Sequence, residues 1–189
     1  YGSTDKGWIK ESFNFSPSTP YAVSRASCDL HLLSFFKAYD FPVVFTRAAN
    51  VFGPGQQLYR IIPRAILYSI MKKKFDLHGG GESIRSFIHI DDVSNAILAI
   101  TKNGNIGQTY HISTTDFISI KDLVKKISTK LNVKFLDLVN IAEDRLGKDE
   151  AYKLDSSKLK KELNWSAEIK LEDGLDQTIS WVQNNIRIL

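Results

Sequence analysis

Tyr21 and Arg25 stand four residues apart, just after Ser16-Pro17-Ser18-Thr19-Pro20, where Ala22, Ala26, Leu30 and Leu33 recur at helical spacing. On a helix their side chains share one face, one turn apart. A permanent cation beside a phenol favours the phenolate and suits the pair to moving a proton. The same two residues also read as a surface tyrosine next to a solvated arginine, since such pairs are common on helices. A second candidate is Asn50, which follows the predicted strand Val43-Val44-Phe45-Thr46 and precedes Gly53-Pro54-Gly55. Ligands in open α/β sheets gather outside the carboxyl ends of strands, where Asn50 falls. An asparagine there equally suits a turn in which it satisfies its own backbone.

Several elements must position these groups. Pro17 and Pro20 keep the approach extended, and a helix is predicted over 21–39, ended by Phe41-Pro42. Cys28 lies on the apolar side of that helix and is expected to be buried. The run 43–46 reads as a buried parallel strand. A helix over 60–72 and a strand over 75–78 follow. Gly79-Gly80-Gly81 reads as a turn, because it lacks the glycine spacing and the helix of a dinucleotide fingerprint. Next come a strand over 86–90, with His89 at the core or its edge, and a helix to 101. Asp91 or Asp92 is expected to cap that helix, which makes the acidic pair structural. Further on, the pattern predicts a strand at 109–113, a helix at 120–131 capped by Ser119, and a strand at 133–139. A charged loop covers 143–149. Ser156 or Ser157 opens a short helix to Leu163, Trp165 serves as an apolar anchor, and an amphipathic helix spans 171–186. Trp8 and Phe13 are expected to pin the N-terminal loop to the core.

Composition narrows the function classes. The 189 residues are 43% hydrophobic and 24% charged, an ordinary globular balance with enough apolar material for a core. The net charge of +4 is spread along the chain, with local runs at Lys72-Lys73-Lys74 and at 158–161. No nucleic-acid docking motif accompanies it, and an anionic small substrate explains it equally well. The single cysteine excludes an intrachain disulfide and a cysteine zinc cluster. No metal site, membrane span or signal peptide is expected, and the default location is cytoplasmic.

Beyond these local readings, six blocks carry a resemblance. They are Tyr1-Gly2-Ser3, the run Ser18-Thr19-Pro20-Tyr21-Ala22-Val23-Ser24-Arg25-Ala26, residues 47–54, Arg85-Ser86-Phe87-Ile88-His89-Ile90-Asp91-Asp92, residues 144–149 with Tyr152, and Glu162-Leu163-Asn164-Trp165. In order and spacing the chain resembles the latter part of an extended short-chain dehydrogenase/reductase of the nucleotide-sugar branch, most similar to its dTDP-glucose 4,6-dehydratases. The resemblance implies an α/β fold: a partial Rossmann-like parallel sheet, its last strands only, plus a small α/β substrate-binding domain. Residues 1–53 would carry the Tyr-x-x-x-Arg helix as the end of the NAD-binding domain. Residues 54–189 would be mainly the nucleotide-sugar domain, with 87–101 returning to the first.

The resemblance also assigns roles. Tyr21 would exchange a proton with the sugar 4-hydroxyl as hydride moves between C4 and NAD. Arg25 stands in the place of the family's lysine, which also holds the nicotinamide ribose, so Tyr21 and Arg25 become both catalytic and cofactor-binding expectations. A planar guanidinium keeps the charge of that lysine and changes its geometry. Asn50, Arg60, Arg85, Arg145, His78 and Tyr152 are expected to bind substrate, the arginines through phosphate oxygens. His78 stands where an aromatic is usual, and His111 where asparagine is usual. The family's glycine-rich loop and its Thr-Asp-Glu acid/base residues precede the segment matching Tyr1. These 189 residues are therefore expected to hold half of a catalytic site and to be inactive alone. The expected function is the C-terminal portion of an NAD-dependent nucleotide-sugar 4,6-dehydratase making 4-keto-6-deoxy sugars for surface polysaccharide, a homodimer when complete. The alternatives are a 4-epimerase and a non-catalytic remnant.

Overall fold

A computed structural model describes residues 1–2, 7–144 and 153–188. Thr19 caps the first helix, α1 (Pro20–Tyr39): its hydroxyl accepts the Ala22 N–H at 3.2 Å, and Pro20 occupies the first turn, where its missing N–H costs nothing. Asp40 ends the helix in the left-handed region at φ 51°. Strands β1 (Phe45–Ala48) and β2 (Asn50–Phe52) follow, then helix α2 (Ile61–Ile70) and strand β3 (Phe75–His78). A 3-10 turn at Gly79–Gly81 leads to β4 (Ile84–Arg85), β5 (Phe87–His89) and helix α3 (Ile90–Asn103). The second half adds β6 (Thr109–Ile112), β7 (Ile118–Ser119), α4 (Ile120–Lys130), the single turn α5 (Phe135–Leu138), β8 (Val139–Ala142), α6 (Ser157–Leu163) and α7 (Leu171–Asn185).

Three strand pairs are parallel: β1 with β6, β2 with β5, and β3 with β8. Each is joined by a connection that contains helix, as parallel pairing requires. The short β4–β7 pair is antiparallel. Two apolar clusters form the core. One packs Ile62, Ile66, Leu123, Ile127, Leu175 and Val182 from α2, α4 and α7 against β3 and β8. The other gathers Ala49, Ile88, Val93, Ala96, Ile100 and Trp165 around β5, β6 and α3. The α/β class with parallel strands is as the sequence implied. Among the described residues, no helix is long and apolar enough to cross a membrane.

Several local expectations need correction. Helix α1 buries no residue, and Leu30 on its supposed inward face is exposed, because the apolar residues are spread around the helix rather than gathered on one side. Cys28 is accordingly exposed. Strand β1 lies two residues later than predicted and is only half buried. His89, not an aspartate, caps α3: its Nδ1 accepts the Asp91 N–H at 3.3 Å. Asp92 is nevertheless structural, a buried carboxylate accepting the backbone N–H groups of Glu168 and Ile169 at 3.0 and 3.1 Å. The predicted strand at 133–139 begins instead at Val139. Phe135-Leu136-Asp137-Leu138 has no β-branched residue and coils into one helical turn that buries Leu138. Trp8 stays half exposed against Phe117, while Phe13 does meet the core ring of Phe45, edge-on at 5.1 Å.

Candidate active site

Helix α1 places Tyr21, Arg25 and Asp29 at successive turns, so all three share one face. They line a cavity of about 450 Å³ with Tyr1, Thr19 and Arg47. Tyr21 is 73% exposed, so its phenol is open to an incoming group.

A second cavity, of about 810 Å³, lies beyond the end of β1. Asn50, Arg60, Arg64, His78 and Arg85 line it. Asn50 opens β2, and its Nδ2 donates to the Ser86 carbonyl at 3.1 Å. The side chain thus reaches across to the start of the neighbouring strand rather than closing a turn on its own backbone. Arg60 sits over the Tyr59 ring, 5.3 Å from its centroid, at the start of α2. Arg64, one turn further, is held between the rings of Tyr68 and Phe75 at 5.5 and 5.3 Å. Arg85 Nη1 donates to the Ile84 carbonyl at 2.8 Å. His78 closes the lining from β3. Its Nδ1 lies 3.1 Å from the Glu143 carbonyl, an acceptor, which puts the proton on Nδ1. Gly53 admits the chain at the cavity's inner edge: at φ +148° a Cβ there would come within 2.6 Å of Ile90.

Of the residues chosen from sequence, Tyr21 and Arg25 thus share one cavity, and Asn50, Arg60, His78 and Arg85 share the other. Arg145 and Tyr152 lie outside the described residues. The two cavities adjoin along the chain: Ala48 lines the first and Ala49, the next residue, lines the second.

Sequence reasoning missed Arg64, although it follows Arg60 by one helical turn and shares its face. It also missed the polar network behind Tyr21. Arg47 pairs with Asp29, whose Oδ2 lies 2.8 Å from Nε and 2.7 Å from Nη2. Arg47 Nη1 donates to the Tyr1 hydroxyl and, at 2.7 Å, to the Ser12 carbonyl. The Tyr1 hydroxyl lies 2.7 Å from His111 Nε2. His111 is fully buried; its Nδ1 faces the Asp155 carbonyl at 3.2 Å, and its backbone N–H donates to Glu11 Oε1 at 3.0 Å. Nδ1 therefore carries the proton and Nε2 accepts from Tyr1. Burial pushes the imidazole below its ordinary 6.5, the Glu11 charge opposes that, and the nearby Arg47 cation reinforces it. The members of this network were marked only separately: Tyr1 and Arg47 fall in blocks that carry the resemblance, His111 stands where asparagine is usual, and Asp29 lies a further turn along the Tyr21–Arg25 face.

Parallel strand pairs joined through helices, with polar groups gathered beyond the strand ends, define the class: an α/β protein of the extended short-chain dehydrogenase/reductase type. The chain belongs to the GDP-mannose 4,6 dehydratase family, whose description matches residues 1–178. Among similar proteins, human dTDP-D-glucose 4,6-dehydratase is 33% identical over 189 residues, covering 97% of this chain and 53% of that enzyme. The dTDP-glucose 4,6-dehydratase of Streptomyces venezuelae, solved with NAD bound, superposes with a TM-score of 0.95 at 30% identity, over 99% of this chain and 58% of the other. The UDP-glucuronic acid 4-epimerase of Bacillus cereus, solved with UDP-glucuronic acid and NAD, gives 0.90 at 25% identity, over 97% and 58%. The chain spans from 28% to 55% of the length of the curated relatives it matches, and 58% of each of these two solved chains.

Proposed function

We propose that this chain carries the substrate-binding and proton-transfer part of an NAD-dependent nucleotide-sugar 4,6-dehydratase. Its substrate is a nucleoside diphosphate hexose such as dTDP-glucose, and the product is a 4-keto-6-deoxy sugar for surface polysaccharide, with loss of water. The observation that carries this reading is the adjacency of the two cavities at Ala48 and Ala49. Arg60 and Arg85 bind the diphosphate, because a guanidinium fork matches phosphate oxygens. Asn50 and His78 complete the substrate contacts, as do Arg145 and Tyr152. The hexose then extends towards Tyr21, which exchanges a proton with the 4-hydroxyl beside the Arg25 cation.

The lining of the Tyr21 cavity fits one end of NAD: a phenol and a guanidinium, both within it, suit the hydroxyls of the nicotinamide ribose. When bound, NAD supplies hydride chemistry at the sugar C4. Residues 1–53 with 87–101 are assigned to the NAD-binding domain and the remainder mainly to the substrate domain. Ala49 shares an apolar cluster with Ile88, Val93, Ala96 and Ile100, which supports the return of 87–101 to the first domain; Tyr110, Ile112, Leu159 and Trp165 join the same cluster. A cytoplasmic homodimer goes with the same reading.

A 4-epimerase is the second reading, favoured by the likeness to the Bacillus cereus enzyme. Product analysis separates the two. The protein that carries this chain is incubated with dTDP-glucose and NAD, and the product is examined by mass spectrometry. Loss of one water with a new keto group upholds the dehydratase. A C4 epimer of unchanged mass upholds the epimerase and overturns the first reading.

A further inference from the structure

Helix α1 presents Tyr21, and its apolar contacts are partial, as at Phe36, whose ring lies against Gly107. A polar tie joins it to the sheet. Asp29, two turns beyond Tyr21, places one carboxylate oxygen against both Nε and Nη2 of Arg47 on β1. By helix rise the tie lies about 6 Å along the axis from Arg25 and about 12 Å from Tyr21. The side chains are only 26% and 13% exposed, so water screens this pair less than an ordinary surface pair.

Arg47 is hydrogen-bonded at Nε and Nη1 and packed against three rings, while its buried Nη2 meets Asp29 as an ion pair without a hydrogen bond. Its guanidinium carbon lies 5.1, 5.1 and 4.9 Å from the ring centroids of Tyr1, Phe13 and Phe15. Its remaining nitrogen, Nη1, bonds the Tyr1 hydroxyl and the Ser12 carbonyl. Arginine fits this place because a planar fork can direct one edge at a carboxylate, another nitrogen at separate acceptors, and its faces at rings. Lysine offers a single point charge.

We infer that Arg47 is a positioning residue for Tyr21: through Asp29 it fixes α1 against β1, so that the Tyr21–Arg25 face stays turned into its cavity. This rests on the reading of Tyr21 as the proton-transfer group. Arg47 and Asp29 line the Tyr21 cavity and take no part in lining the arginine-rich cavity, where the nucleotide binds in that reading. The clamp therefore acts on turnover and leaves nucleotide affinity alone.

The test uses the complete protein with Arg47→Lys, Asp29→Asn and the double variant. Each single change lowers kcat about 10- to 100-fold, since a misplacement near 1 Å carries losses of that size. The KM for nucleotide-sugar and the affinity for nucleoside diphosphate change less than threefold. The double variant is no worse than the weaker single one, because both remove one interaction. Amides of α1 also exchange hydrogen faster, a readout that needs no catalysis. Asp29→Glu keeps the charge and restores most of kcat. Should Arg47→Lys fail to fold, Asp29→Asn carries the test, because it keeps the size of the side chain and removes only the charge. Unchanged α1 exchange, or nucleotide affinity falling in step with kcat, overturns the clamp. Full activity in Tyr21→Phe instead overturns the reading of Tyr21, and faster α1 exchange in Arg47→Lys then still upholds the tie between α1 and β1.

Discussion

At the scale of single residues, Arg25 and His111 are, with His78, positions that the sequence resemblance reads as departures from its pattern. Arg25 supplies a cation one turn from Tyr21 in a form that bonds through a rigid fork rather than a rotatable ammonium. If it occupies the lysine place, Arg25→Lys keeps or raises kcat in the complete protein, and a large drop would show a site rebuilt around arginine. His111 is the second. Its folded-state pKa is depressed by burial, so the unfolded chain binds the extra proton more readily. The stability it contributes is present above the ordinary 6.5 and is lost as pH falls through the lower folded value. Protonated Nε2 can no longer accept from Tyr1, and it faces the Arg47 cation. The groups around it are Glu11, Arg47, Tyr1 and the Asp155 carbonyl. Urea unfolding midpoints should therefore fall as pH drops from 6.5 through the lower folded value, and His111→Asn should flatten that dependence. A wild-type midpoint that is level across the range would contradict it.

At the scale of elements, α1 shows what a sequence reading can and cannot reach. Its start and end were legible to within a residue, because the prolines at 17 and 20 and Phe41-Pro42 are local signals, although Pro20 opens the helix instead of extending its approach and the Thr19 cap went unread. Its environment was not. Ala26, Leu30 and Leu33 recur at helical spacing, and nothing local says whether a partner surface covers them or Cys28. The same limit explains residues 133–139, where a short apolar run suits either a strand or a turn, and tertiary context chose the turn. The site followed the same rule. Tyr21, Arg25 and Asn50 were visible because they sit on local motifs. The Tyr1–Arg47–His111 chain joins residues 46 and 110 positions apart, which spacing cannot reveal. The cap gives a direct check on α1: Thr19→Ala removes the acceptor of the Ala22 N–H and should destabilise the protein by about 1 kcal/mol in thermal or chemical unfolding. With no buried face to compensate, that loss should also quicken hydrogen exchange at the helix start.

At the scale of the whole molecule, the proposed function rests on two cavities that adjoin at Ala48 and Ala49. One offers cations for an anionic ligand, and the other offers a phenol open to the space beside it. The modest net charge of +4 understates this, because Arg60, Arg64 and Arg85 are concentrated on one cavity. Arg60→Ala should weaken nucleoside diphosphate binding by about tenfold, the scale of one charge-assisted hydrogen bond, and more at low salt than at high. Titration calorimetry at two ionic strengths checks both statements. The central claim is that a nucleotide-sugar held by the arginine cavity delivers its hexose to Tyr21. Its most direct test is steady-state kinetics of Tyr21→Phe in the complete protein, with nucleotide affinity measured in parallel. The account predicts that turnover is abolished while nucleotide affinity and thermal stability stay near wild type. Turnover retained at the wild-type rate would contradict it.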